Sequence, residues 1–196
     1  MIAKNLLIEN LTSSIKAKEK LLIDEECLTL FDSAAELVLN TYKSGGQLFI
    51  AGNGGSAADA QHLAAEFVSR LAFDRNPLPA EALTVDSSIL TAIGNDYGYD
   101  KIFSRQVEGK MTSNDVFLGI TTTGNSPNIT SALEVCNRLN IPSIIFCGKD
   151  GGKVKSLSNH CIIVPGEETA TIQEVHIVLA HSLCGHIESS LFNKES

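Results

Sequence analysis

Apolar residues recur at helical spacing through the first 44 residues, then in short runs separated by polar, glycine-rich turns. Residues 2–22 and 25–44 read as two helices. In the second, Leu28, Phe31, Ala35, Val38 and Tyr42 follow one another at spacings of three and four, which is a narrow apolar stripe. Gly45-Gly46 ends it. Beyond that point the pattern predicts strands at 47–51, 80–85, 115–120, 142–147 and 160–164. It predicts helices at 56–70, 88–94, 99–110, 127–139, 151–157 and 171–192. Apolar strands alternating with helices predict an α/β fold, a five-stranded parallel sheet covered on both faces. Such sheets take ligands beyond the carboxyl ends of their strands, near the topological switch point. The leading helical pair exceeds what the sheet needs. Its stripes are expected to pack on the sheet, on a partner subunit, or on both.

Length and composition narrow the classes. A chain of 196 residues makes one domain with a full core, with no linker, repeat or low-complexity segment. The net charge of −8, with no run of Lys or Arg, speaks against a nucleic-acid partner but leaves a small anion open. No signal peptide and no membrane-length apolar run is present. Cys27, Cys136, Cys147, Cys161 and Cys184 are scattered without a C-x-x-C, the usage of reduced, mostly buried thiols in a cytoplasmic protein.

The chemistry begins at Gly52-Asn53-Gly54-Gly55-Ser56, directly after the apolar run Leu48–Ala51. Strand, glycine turn and helix leave backbone N–H groups at a helix N-terminus, a ready anion site. Gly52-x-Gly54-x-x-Ala57 also satisfies a dinucleotide pattern, weak by itself; Asp86, a possible acidic partner at the end of the second strand, lies about 30 residues on where such sites want one roughly 20 on. Ser56 with Asp59 could equally form a capping box. A second loop, Thr121-Thr122-Thr123-Gly124-Asn125-Ser126, precedes Pro127 at a helix start. Its four hydroxyls suit a terminal phosphate monoester, and the glycine loop suits the sugar beside it. Asn95 and Asp96, in a turn-rich stretch Gly94–Gly98, could hold sugar hydroxyls or simply make Asx turns.

His62 and Glu66 stand one turn apart on the helix after the glycine loop, as a solvated pair or as part of a site. On the last helix, Gln173, Ile177 and His181 form a row beside the core stripe Ile172, Val175, Leu179, Leu183 and Ile187. Should that helix pack near the glycine loop, His62, Glu66, Gln173 and His181 surround one point. Two imidazoles with oxygen donors suit zinc or another divalent metal. His176 and His186 fall elsewhere on the wheel, in packing or surface roles, and Cys184 reads as a buried thiol.

The runs Gly52–His62, Ala92–Gly98, Thr123–Ser126 and Ile172–His176 together resemble the phosphoheptose isomerases of the SIS (sugar isomerase) superfamily. The resemblance covers nearly the whole chain. It implies a three-layer, flavodoxin-like SIS fold and a homotetramer with active sites between subunits. It also implies a ketose–aldose isomerisation, sedoheptulose 7-phosphate to D-glycero-D-manno-heptose 7-phosphate, opening bacterial ADP- or GDP-heptose synthesis. Position by position, it implies one zinc per subunit on His62, Glu66, Gln173 and His181, with Glu66 and His181 moving protons. Substrate contacts would fall on Asn53, Gly54, Gly55, Ser56, Glu66, Asn95, Asp96, Thr121, Thr122, Thr123, Ser126 and Gln173. Arg70 would serve a neighbouring subunit's phosphate. Two positions depart from the family pattern. Thr121-Thr122-Thr123 stands where many relatives have Ser-Thr-Ser, and Thr171 stands where many have arginine. The second bears on fine substrate preference. A rival reading is a non-catalytic SIS adaptor of the kind that associates with the replication initiator; Glu66 and His181 together favour the enzyme.

Overall fold

The computed structural model describes residues 2–192; Met1 and residues 193–196, the ends of the expected single-domain span, lie outside them. Five parallel strands, β1 (Leu48–Gly52), β2 (Ala80–Ala82), β3 (Val116–Thr121), β4 (Ser143–Cys147) and β5 (His160–Ile163), lie in the order β2-β1-β3-β4-β5. Their connections run through helices, which parallel pairing demands. The helices are α1 (Ala3–Leu22), α2 (Glu25–Lys43), α3 (Gly55–Val68), α4 (Ser87–Tyr97), α5 (Ser104–Lys110), α6 (Pro127–Leu139) and α7 (Thr169–Phe192). None of the described helices is long and apolar enough to cross a membrane.

Strand side chains alternate between two cores. Leu48, Ile50, Leu118, Ile120 and Phe146 pack with α1, α2, α3 and α7. Phe49, Phe117, Ile145 and Cys147 pack with α5 and α6, and Leu90 and Ile93 of α4 join them. The result is the expected three-layer architecture. The sheet changes direction between β1 and β3, so the loops after these two strands open at the switch point. Gly52 permits the first loop: a Cβ there would lie 2.5 Å from the Ser56 carbonyl oxygen as α3 turns back over the strand end.

The structure corrects several boundaries. Residues 88–94 were expected to form a short helix followed by a loop. Instead α4 runs through Gly94, Asn95 and Asp96 to Tyr97, capped by Asp86, whose Oδ1 accepts from the Ile89 amide at 2.9 Å. A glycine inside a helix costs only about 1 kcal/mol relative to alanine, and Leu90 and Ile93 pack on the core beneath. The helix expected over 99–110 is broken into a 3₁₀ turn, Tyr99–Lys101, and α5, because Ile102 and Phe103 are drawn fully into the core. Residues 151–157 form a 3₁₀ helix, Gly152–Ser156, and β2 stops at Ala82.

The α2 stripe also divides differently. Ala35 and Val38 are buried within the chain's own core. Leu28 of the stripe stays exposed, and a run of uncovered apolar side chains lies on α1, where Leu7, Leu11 and Ile15 are 59%, 53% and 56% exposed.

Candidate functional site

The two loops face each other across the switch point. Between them lies a cavity of about 300 Å³ lined by Asn53, Gly54, Gly55, Ser56, Ile120, Thr121, Thr122, Ser126, Thr169 and Gln173. Eight of the expected substrate positions, Gln173 among them, therefore share one space. The capping-box reading of Ser56 fails. Gly54, at φ +55°, is the cap of α3, no side chain caps the helix, and Ser56 is buried in its first turn. The positive end of α3 is thus left to the cavity.

The hydroxyl loop is similarly open. Ser126 caps α6 without a side-chain hydrogen bond to its helix. Its Oγ lies 3.1 Å from Thr121 Oγ1, so two hydroxyls converge at the mouth of a helix N-terminus. Gly124, at φ +68°, lets this loop lie against Gly151; a Cβ would collide with the Gly151 carbonyl. Val154 N donates to Gly124 O at 3.1 Å, fixing the contact. Thr123 turns inward: its Oγ1 accepts from the Asn125 amide at 3.3 Å.

Asn53 is held by a residue that sequence reading passed over. Its amide and that of Asn128 exchange hydrogen bonds at 2.9 and 2.8 Å, and the Tyr99 hydroxyl donates to Asn53 Oδ1 at 3.1 Å. Asn128 sits at the second position of α6, close to the threonine loop, which is the one local sign available. Tyr99 arrives from the 3₁₀ turn after α4 and carries no local sign.

Beyond the cavity, α3 and α7 bring His62, Glu66 and His181 together. His62 Nε2 lies 2.9 Å and His181 Nε2 3.3 Å from Glu66 Oε1, and the two imidazole nitrogens are 3.2 Å apart. One ligand atom from each lies within 4.8 Å of the others. Glu66 Oε2 is buried with no hydrogen-bond partner. Two imidazole nitrogens this close, beside an unpartnered carboxylate oxygen, form a donor set that fits a divalent cation. Gln173, two turns before His181, has its amide against Gly55, at the cavity end of the same helix. Asp59 lies one turn before His62. Burial raises its carboxyl above the usual carboxylate range, against the pull of His62, and its Oδ2 is buried and unpartnered.

Other expected positions stand apart. Asn95 and Asp96 are exposed on α4 and bond to each other at 2.8 Å, and Arg70 is exposed just past α3. None of the three lines the loop cavity of its own chain. His176 is buried, pairs with the Cys147 carbonyl at 3.1 Å and is pushed down to about 4 by burial, which keeps it neutral in a packing role. His186 lies 3.5 Å from Glu36 on the other side of α7.

A family model for the SIS domain matches residues 12–148. The chain is 50% identical over 186 residues to a phosphoheptose isomerase of Aneurinibacillus thermoaerophilus, covering 95% of this chain and 94% of the relative. It is similar in structure to a phosphoheptose isomerase from Francisella tularensis, with a TM-score of 0.90, 34% identity, and coverage of 96% and 100% of the two chains. It is likewise similar to a phosphoheptose isomerase from Neisseria gonorrhoeae, with a TM-score of 0.86, 40% identity, and coverage of 95% and 98%.

Proposed function

The chain belongs to the phosphoheptose isomerases of the SIS-domain family and is a sugar-phosphate isomerase, and from that premise we propose how its residues divide the work. The reaction converts sedoheptulose 7-phosphate to D-glycero-D-manno-heptose 7-phosphate, the opening step of heptose precursor synthesis. The phosphate lies against the Thr121 and Ser126 hydroxyls and the α6 amides. The sugar lies along Asn53–Ser56, and the carbonyl end reaches the His62–Glu66–His181 cluster. The single observation that carries this reading is the placement of Glu66 and His181 within 3.3 Å of each other on the helices that flank the cavity.

A ketose becomes an aldose by moving one proton between neighbouring carbons. The Glu66 carboxylate takes the proton from C1, and protonated His181 gives one to the C2 oxygen, leaving an enediol. Glu66 then returns its proton to C2 while His181 recovers one from the C1 hydroxyl. Atoms and electrons balance without a redox partner. His62 orients Glu66 through its 2.9 Å contact. Asn53, fixed by Asn128 and Tyr99, keeps one amide hydrogen free for a sugar oxygen. The residues that would hold zinc are His62, Glu66 and His181, with the Gln173 amide as the fourth donor; His181 would carry its proton only on a nitrogen the ion does not occupy. When bound, the ion supplies Lewis acidity toward the sugar carbonyl. A non-catalytic adaptor would have no use for the close Glu66–His181 pair.

Protein purified without chelator is expected to form the aldose from sedoheptulose 7-phosphate and to carry about one divalent ion per chain. Absence of aldose would overturn the function. Full activity after metal stripping would reduce the cluster to an acid–base pair.

The reading extends to assembly and place. A homotetramer lets a neighbour bring Arg70, or Asn95 and Asp96, to a site that one chain leaves open. The uncovered α1 face supports it, since apolar surface of this extent seeks a partner. Light scattering is expected to give four times the 21.0 kDa chain mass. Leu11→Asp with Ile15→Asp should dissociate the assembly; a mass of one chain for the unmutated protein would refute it. The five free cysteines fit work in the reducing cytoplasm.

A further inference from the structure

Arg75 and Glu188 form an ion pair at 2.9 Å whose side chains are each only 1% exposed. Burying two charges is costly, and a well-packed apolar pair of similar volume is often as stable or more so. Stability alone therefore does not account for the pair.

Its partners say what it does. Glu188, on α7, accepts from the Leu71 amide at 3.1 Å and the Ala72 amide at 2.9 Å, in the segment that leaves α3. Burial would raise its carboxyl, but these amides and the Arg75 guanidinium outweigh that and hold it below the usual range, so it stays charged. Besides a 3.1 Å contact from Nη1 to the neighbouring Asn76 carbonyl, Arg75 turns its other donors to the end of α3. Its Nη1 donates to Phe67 O at 2.6 Å and its Nη2 to Glu66 O at 2.8 Å. These carbonyls belong to the last turn of α3, which has no helical amides beyond it to bond them; Phe67 O also accepts from the Leu78 amide at 3.0 Å. One guanidinium thus ties the backbone of Glu66 to the carboxylate of Glu188. Glu188 lies seven residues beyond His181 on α7, about two turns or 10 Å along the axis.

We propose that the Arg75–Glu188 pair is a positioning device for proton transfer: it fixes the axial register of α3 against α7 and with it the spacing of Glu66 and His181. Slippage of one helix by one residue is about 1.5 Å, enough to take the 3.3 Å contact between Glu66 and His181 out of hydrogen-bonding range. The inference rests on Glu66 and His181 being the proton-transfer pair. The phosphate loop lies on β3 and α6, outside this linkage.

The test compares Arg75→Met with Glu188→Leu, an apolar exchange, and Arg75→Lys, which keeps the charge but loses the fork that spans two carbonyls. Each is measured for kcat, for KM, for inhibition by inorganic phosphate and for thermal unfolding, beside Glu66→Gln. A folded variant is expected to lose about tenfold in kcat, as small misplacements of reacting groups do. Its KM and its phosphate inhibition constant should stay within about twofold. Wild-type kcat in either folded variant would overturn the proposal. So would a parallel loss of phosphate affinity, which would mean general loosening, or failure of both variants to fold, which would make the pair a prop of the whole domain. Undiminished kcat in Glu66→Gln would instead remove the proton-transfer reading on which the proposal stands.

Discussion

Glu66→Gln is expected to lower kcat by about 10²–10⁴, the usual worth of a positioned base, while leaving the protein folded and KM little changed. Gln keeps the size of the side chain and can still accept from His62, which lies 2.9 Å from Glu66 Oε1. What it cannot do is receive a proton from carbon. The glycine loop lies at the other end of α3, about three turns away, the threonine loop lies beside it after β3, and neither senses the change. Reaction in D₂O separates the roles. The variant should lose solvent-deuterium exchange at the carbon next to the carbonyl as steeply as it loses turnover. Exchange at near wild-type rate would move the base to another residue, with His181 the first to examine at 3.3 Å from the same oxygen.

The second large effect belongs to binding. Thr121→Val with Ser126→Ala should raise KM by roughly ten- to a hundredfold for each charge-assisted hydrogen bond lost, since such bonds are worth about 1.5–3 kcal/mol each. The two hydroxyls are 3.1 Å apart and neither is used to cap α6. Removing them leaves no protein group unpaired, so the loss falls on the ligand. Turnover at saturating substrate should survive, because Glu66 and His181 are untouched. An unchanged KM would place the phosphate elsewhere in the cavity.

Local chemistry made much of this legible in the chain. Apolar runs marked all five strands, and the glycine and threonine loops announced themselves because a turn or cap needs particular residues at particular offsets. His62 and Glu66 were visible as a pair since one helical turn separates them. His181 could be assigned only on condition that its helix packed beside α3, and that condition is a tertiary fact. Asn128 and Tyr99 were invisible as supports of Asn53 for the same reason. Arg75 and Glu188 show the limit most clearly. They are 113 residues apart, and Glu188 directly follows the core residue Ile187, where periodicity alone gives a carboxylate no reason to be buried. The errors at Gly94 and Ile102 arose where core packing overrode the local preference for a turn or an unbroken helix.

The strand order has a consequence for how the molecule comes into being. β1 and β3 are neighbours in the sheet, yet the chain between them closes a loop of roughly sixty residues, an entropic cost met before any contact rewards it. The glycine loop leaves one of these strands and the threonine loop leaves the other. On the proposed assignment, a half-folded chain holding only one of them would offer contacts to the phosphate or to the sugar, but not to both. A substrate that needs both loops should therefore stabilise the assembled sheet by mass action, its full affinity arriving together with the central pairing rather than growing along the way.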